Sequence, residues 1–324
     1  MEIFDIEVDV ETTARQQARA AVPFTTADAP ARRVRRAREF IIESILFLAA
    51  ASSVMVTLGI IGILVVESIP FFSHVTFWEF LTGTEWTPLF ENAKYGILPL
   101  VNGTFLTTFI ALIVAIPLGL VSAIFVSEYL PVRARESVKP ILELLAAVPT
   151  VVYGYFALLF VTPLLRHFIP EISGFNVLSA GIVIGIMIIP YVSSLSEDAM
   201  RSVPSDLREA SFAVGATRFQ TGWSVVVPAA LSGITSAFVL GISRAVGETM
   251  VVAIAAGMQP NLTLDPTQPA ETITAFIVQV SLGDLPHGSI GYQSIYVAGL
   301  TLLVMTLTFN LVGLAIRRKF REVY

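Results

Sequence analysis

The chain alternates between long apolar stretches and short polar, basic ones, and this pattern predicts helices that cross a bilayer. Uncharged or nearly uncharged runs cover about residues 40–66, 102–126, 140–165, 177–195, 225–257 and 293–316. Each approaches or exceeds the roughly 20 residues that a helix needs to span the hydrocarbon core. Lipid offers the backbone no hydrogen bonds, so each run is expected to be helical, with proline kinks relieved by neighbouring helices. Pro149, Pro163 and Pro190 lie in the third and fourth runs and blur their ends. The expected fold class is therefore all-α, a polytopic membrane protein with six transmembrane helices.

Composition agrees. Hydrophobic residues make up 55% of the 324 and charged ones 14%, against about a quarter charged in soluble domains; the mean hydropathy is +0.76. Basic residues then orient the spans. Seven arginines precede the first run, five of them clustered as Arg32, Arg33, Arg35, Arg36 and Arg38. Arg133, Arg135 and Lys139 lie between the second and third runs, and Arg201, Arg208 and Arg218 in the long loop before the fifth. Arg317, Arg318, Lys319 and Arg321 follow the last, while the opposite loops hold Lys94 and Arg166. Positive loops stay in the cytoplasm, which puts both termini and the long loop inside. The basic N-terminal cluster reads as this orientation signal rather than as a nucleic-acid contact.

Residues 1–37 are polar and are expected to form a disordered cytoplasmic tail without a cleavable signal. Residues 38–101 should hold the first span plus an external segment lying at the membrane interface, marked by Trp78, Trp86 and Phe71-Phe72-Ser73. Residues 102–319 form the core, and 320–324 a cytoplasmic end. The chain has no cysteine, which removes disulfide and zinc-thiolate chemistry. It has no G-x-x-x-x-G-K-[ST] phosphate loop, G-x-S-x-G or H-E-x-x-H motif. His74, His167 and His287 are scattered over loops. No catalytic residue, metal site or cofactor is read in this chain.

Two features carry chemistry. The first is the polar loop 197–228. Asp206 sits near the positive end of a short helix that Pro204 can begin. Leu207, Ala210, Ser211 and Val214 recur at helical spacing and so share one face. Gly215 suits a left-handed C-terminal residue, and Thr217 with Gln220 matches a capping box that opens a second helix. By pattern alone, two short helices meeting at a glycine turn could be an ordinary amphipathic connector. The second feature is Arg244 and Glu248, deep in the fifth run. Counted along a straight helix at about 1.5 Å per residue, Arg244 lies roughly 24 Å from Pro228, near mid-bilayer. Ionisable groups at that depth cost on the order of 2.5–3.5 kcal/mol each and usually mark a transport path. Four residues apart, they are expected to share a face, either as a structural ion pair or as groups lining an anion path.

Glu209-Ala210-Ser211, three residues, Gly215, nine residues and Val225-x-Val227-Pro228 closely resemble the EAA signature of ABC-importer membrane subunits. The runs LREASFAVGATR, VPAALSGI and GISRAVGETM, with Trp86-Thr87-Pro88, Gly96–Thr104 and Glu143–Leu158, resemble the C-type permease subunit of phosphate-specific importers. That resemblance covers about residues 38–319 and implies the six-helix type I importer (MetI-like) permease fold in a prokaryotic plasma membrane. It assigns ATPase coupling to Leu207, Glu209, Ala210, Ser211, Gly215 and Ala216, and a role in phosphate movement to Arg244 and Glu248. It also implies partners: a second, A-type permease subunit, two copies of a cytoplasmic ATPase carrying the ATP and magnesium, and an external phosphate-binding protein. Beyond surrounding lipid and phosphate no other partner is implied. A guanidinium suits phosphate oxygens, and a carboxylate can accept the proton that phosphate retains near neutral pH. Sulfate and molybdate remain the alternatives within the class; an ion channel or ion-driven carrier would leave the EAA-like spacing unexplained.

Overall fold

The computed structural model describes residues 29–286 and 288–319, which form helices joined by short links. The chain divides into two units, residues 1–60 and 61–324. The described part of the first unit is helical, with large apolar side chains such as Phe40, Leu46, Phe47 and Met55 exposed. It belongs to α1 (Ala29–Phe72), so the helix reaches back into the stretch expected to be a disordered tail. The rest of that tail, His287 and residues 320–324 lie outside the described residues.

In the second unit, after the end of α1, come α2 (Phe77–Thr82), α3 (Leu98–Tyr129), α4 (Val132–Ala146) and α5 (Thr150–Arg166). Then follow α6 (Val177–Arg201), α7 (Ser205–Ala213), α8 (Arg218–Ala229) and α9 (Leu231–Val246). The last are α10 (Met250–Ala255), α11 (Ile273–Gln279) and α12 (Ile290–Lys319). Among the described residues four helices, α1, α3, α6 and α12, are long and apolar enough to cross a membrane; the count reaches six if α4–α5 and α8–α9 each count as one span.

Those two pairs depart from the straight spans expected. The α4–α5 pair bends by 79° and the α8–α9 pair by 77°. Pro149 accounts for the first bend, because a proline pushes the residue before it out of the helical region. Pro163 and Pro228 act differently. Each follows a π-helical turn, Ala157–Val161 and Gly222–Val226. The wider turn relieves the clash between the proline ring and the carbonyl one turn back. Pro190 sits inside α6 without ending it.

The core is built on α3 against α6. Along the most apolar stretch of α6, 67% of residues are buried, against 6% for α12, so α6 is central and α12 peripheral. Small residues make the contact possible. Ala111, Ala115 and Gly119 recur one turn apart on α3, opposite Gly181 and Gly185 on α6. A Cβ added at Gly185 would sit 2.6 Å from the Val114 Cβ and 2.7 Å from the Ala111 carbonyl oxygen. Helices surrounded by lipid associate through such close backbone approach rather than by hydrophobic exclusion from water.

The segment before α3 is packed into the second unit. Trp86 is fully buried and meets Phe276 of α11 edge-on, with centroids 4.9 Å apart. An isolated bridge between Trp86 and Tyr95 folds the segment back on itself, and Glu85 pairs with Lys94 at 2.7 Å. Trp78 does stay exposed.

The α3–α6 contact leaves no room for a side chain. Gly185→Val should destabilise the protein by about 1–3 kcal/mol through overpacking. Gly62→Ala, with nothing within 4 Å of the added carbon, should be near neutral. Thermal unfolding of both variants in detergent checks this.

Candidate functional site: a coupling loop and a broken helix

The loop between α6 and α9 forms the two short helices that its residues predict. Pro204 occupies the cap position ahead of α7 rather than its first turn, at φ −55° and ψ 142°. Asp206 lies in the first turn. At the far end Gly215 takes φ +87°, its N–H donates to the Phe212 carbonyl (2.9 Å), and the Ala216 N–H donates to the Ser211 carbonyl (3.2 Å). These two bonds make the Schellman closure, which needs a left-handed residue and therefore favours glycine. Thr217 and Gln220 form the reciprocal capping box of α8, at 2.8 and 3.3 Å.

Burial divides the face that spacing picks out on α7. Leu207 and Ser211 turn inward, but Ala210 is exposed and Val214 is 85% exposed. The Ser211 hydroxyl is buried and shares a hydrogen bond with the Thr221 hydroxyl (2.9 Å), joining the two short helices. Of the six residues assigned to coupling, Glu209, Ala210 and Gly215 lie at the surface. Leu207 and Ala216 are half-buried, and Ser211 shapes the loop from within. Phe212, Val214, Phe219 and Trp223 add apolar surface beside Glu209, a combination suited to a protein groove.

Beneath the loop lie charges that spacing did not reveal. Arg208 donates to Glu128 at 3.2 and 3.4 Å, and to the carbonyls of Val203 (2.7 Å) and Met200 (2.8 Å). The Glu197 carboxylate, 2% exposed, has Arg135, Lys139 and Arg201 at 3.6, 3.5 and 3.7 Å. Arg201 is an i,i+4 neighbour of Glu197 on α6, but Glu128 lies eighty positions from Arg208, and Arg135 and Lys139 lie on a different helix from Glu197.

The fifth apolar run is broken again between the two expected path residues. Helix α9 ends at Val246, and α10 starts at Met250. Arg244 and Glu248 therefore do not stand one turn apart on one helix, and among the described residues no ion pair joins them. The 77° bend between α8 and α9 also overturns the straight count from Pro228. Arg244 lays its guanidinium over the Tyr191 ring, 4.1 Å from the centroid, and its Nε is buried without a hydrogen-bond partner. Such a cation–π contact is worth about 0.5–2 kcal/mol. Tyr191 is itself held by donating to the Ala146 carbonyl (3.0 Å). Glu248 is buried, and its Oε1 accepts from the Met250 and Val251 N–H groups at 3.2 and 3.3 Å. These are free donors of a helix N-terminus, where a carboxylate is stabilised. Thr274 donates to the Glu248 carbonyl (2.7 Å), fixing the break against α11.

Glu271 is a further buried acid, in the link before α11, and sequence reading passed over it. It is 2% exposed, and its Oε1 has no hydrogen-bond partner. With Trp86, Gln259 and Gln279 it lines a cavity of about 230 Å³. Burial pushes its carboxyl up to about 8, so it holds its proton at neutral pH.

A small-residue helix contact, two sharply bent helix pairs and a two-helix loop together make a polytopic helical architecture. Residues 115–322 match the family described as binding-protein-dependent transport system inner membrane component, and the chain belongs to that family. It is a multi-pass membrane protein of the transport-permease type. The chain is 37% identical over 278 residues to the probable ABC transporter permease protein YqgH of Bacillus subtilis, an alignment covering 85% of this chain and 88% of that one. It is 33% identical over 290 residues to the phosphate transport system permease protein PstC of Mesorhizobium japonicum, covering 82% and 86%. The fold resembles a bacterial ABC transporter involved in import of the acidic polysaccharide alginate, with a TM-score of 0.61 at 16% identity, covering 89% of this chain and 100% of that one. It also resembles the MetNI methionine ABC transporter, with a TM-score of 0.52 at 18% identity, covering 70% and 95%. The expected ABC-importer permease fold is thus the one observed.

Two outcomes follow from this geometry. Gly215→Ala should strain the α7 terminus by about 1 kcal/mol, because the added methyl meets open space but the positive φ remains unfavourable. Gly215→Asn should cost less. Circular dichroism and limited proteolysis at the loop check the order. For Glu271 the folded-state value lies above the ordinary one. Its stabilising contribution is then full below about pH 4.5 and lost as pH rises through about 8. The native protein should therefore lose melting temperature between pH 5 and pH 9, and Glu271→Gln should flatten that fall.

Proposed function

We infer that this chain is the permease subunit of an ATP-driven importer of inorganic phosphate and contributes half of the translocation path. The observation that carries the reading is the loop. The EAA-like residues Glu209 and Ala210 stand exposed beside a Schellman-closed Gly215, on a platform tied to the ends of the spans. The relatives named for phosphate transport support the substrate. The chain pairs with a related A-type permease subunit and seats its loop on one of two cytoplasmic ATPases. Those subunits carry ATP and magnesium, and an external binding protein delivers phosphate. Both termini and the loop then face the cytoplasm of a prokaryotic cell, following the distribution of Arg and Lys, and ATP hydrolysis belongs to the partner.

The break after Val246 sharpens the substrate path. Because Glu248 does not neutralise Arg244, the guanidinium keeps its charge for an anion, steadied by Tyr191. The Glu248 carboxylate holds the start of α10 and stands where a protonated oxyanion can donate to it. Sulfate has no such proton at neutral pH and gains nothing from that acceptor.

Arg244→Gln should lower phosphate uptake by about tenfold or more, the scale of one lost charge-assisted hydrogen bond. Glu248→Gln retains a carbonyl oxygen for the Met250 and Val251 N–H groups, so the complex should assemble while discrimination against sulfate weakens. The measurement is uptake of labelled phosphate and sulfate at matched membrane abundance. Near-normal phosphate uptake by an Arg244→Met/Glu248→Leu double variant would refute a transport role for both residues. The loop has its own check: Gly215→Trp should insert normally yet lose co-purifying ATPase and uptake together.

A further inference from the structure

The loop must do more than seat on a partner, because a movement of α7 has to reach the spans. Arg208 lies one residue before the exposed Glu209 and faces the other way. Its guanidinium contacts three parts of the structure at once: Glu128 at the end of α3, the Met200 carbonyl at the end of α6, and the Val203 carbonyl in the link to α7. The Glu128 side chain is 6% exposed and that of Arg208 20%, so water competes weakly for either. Glu128 is also confined from the side. A Cβ added at Gly222 would meet the Glu128 Cγ at 3.3 Å, and the Ser127 hydroxyl donates to the same carboxylate (2.9 Å).

The far side of this contact is equally tied. The end of α3 is the π-helical turn Phe125–Tyr129, which leaves carbonyls without a partner one α-turn on. Arg135 of α4 donates to two of them, Val126 (3.0 Å) and Ser127 (2.6 Å). Arg135 also lies 3.6 Å from Glu197 near the end of α6. The ends of α3 and α6 and the start of α4 thus form one polar block, and Arg208 joins α7 to it. Besides this fork, the Ser211–Thr221 hydroxyl bond joins α7 to α8 alone (2.9 Å), and Leu207 packs on an apolar cluster that includes Met200, Val203 and Val226. Apolar surfaces slide at little cost, whereas a fork-shaped guanidinium bonded to three elements resists displacement in several directions.

The geometry points to Arg208, with Glu128 as its partner, as the positioning residue that transmits movement of the coupling helix to the cytoplasmic ends of α3 and α6. This rests on the reading that the loop seats on an ATPase. It assigns α7 two faces with separate tasks. Glu209 and Ala210 bind the motor, and Arg208 passes its stroke to the path.

The test uses the complete transporter in proteoliposomes, with uptake of labelled inorganic phosphate and ATP hydrolysis measured on one preparation. Arg208→Gln and Glu128→Gln should keep the ATPase bound and hydrolysing, while phosphate moved per ATP falls by about tenfold, within the usual range of coupling between sites. Because the chain has no cysteine, an Arg208→Cys/Glu128→Cys variant can be bridged by a short bis-thiol reagent, with the native chain treated alike as control. Bridging should raise uptake per ATP several-fold over the unbridged variant, since a covalent link replaces the ionic one. Native uptake per ATP in both single variants would overturn the inference. So would loss of bound ATPase from both, which would make Arg208 a shaper of the docking face, or a bridge that abolishes uptake. The substrate reading fails separately: a native complex that takes up sulfate and not phosphate overturns it, and the joint is then scored on sulfate per ATP.

Discussion

The close approach of α3 and α6 is the contact on which the rest of this structure depends. With lipid around them, the two helices gain little by hiding apolar side chains from a medium that is itself apolar. They associate because Ala111, Ala115 and Gly119 on one side and Gly181 and Gly185 on the other let backbones meet and side chains from each helix fill the grooves of its neighbour. The buried apolar cluster around Val183, Ile184, Met187 and Ile188 forms along this seam, and α9 and α10 pack onto it through Ala245, Val251 and Val252. Arg244 and Glu248 are placed by that packing, one at the end of α9 and the other at the break before α10.

Polar chemistry concentrates where the helices are interrupted. A π-helical turn or break frees backbone groups that need partners, and at three of these places charged side chains supply them. Glu248 accepts from the first N–H groups of α10. Arg135 serves the carbonyls at the end of α3, and Arg208 those at the end of α6. The interruptions are thereby stable in an apolar setting, and they are also the points where a helical bundle can change shape. An importer that alternates between two openings has a use for both properties.

The family, the spans and the loop were legible in the sequence because their signals are local. A run of apolar residues, a capping box at Thr217 and Gln220, and a glycine following a short amphipathic helix each depend on neighbours a few positions away. Other features depend on geometry that no local pattern encodes. Spacing puts Leu207, Ala210, Ser211 and Val214 on one face of α7, and packing buries Leu207 and Ser211 while leaving Ala210 and Val214 exposed. Trp86 is buried against Phe276, a partner 190 positions away that the sequence does not announce. Arg244 and Glu248 are separated by the end of a helix, although their spacing of four fits one continuous turn.

By itself, the sequence determined which segments are helical and apolar, where the loop turns, and the family to which the chain belongs. Composition, periodicity and short motifs act through nearest neighbours, and nearest neighbours are what a sequence displays. Tertiary structure decided which charges meet. Arg208 finds Glu128 eighty positions away, Arg135 approaches Glu197, and Tyr191 lies under Arg244. Those pairings depend on how bent helices stack, at 79° where Pro149 interrupts the chain and at 77° where α8 gives way to α9 at Ala230. A buried charge must find its partner or ring wherever the fold brings one within about 4 Å, since the apolar surroundings offer nothing else.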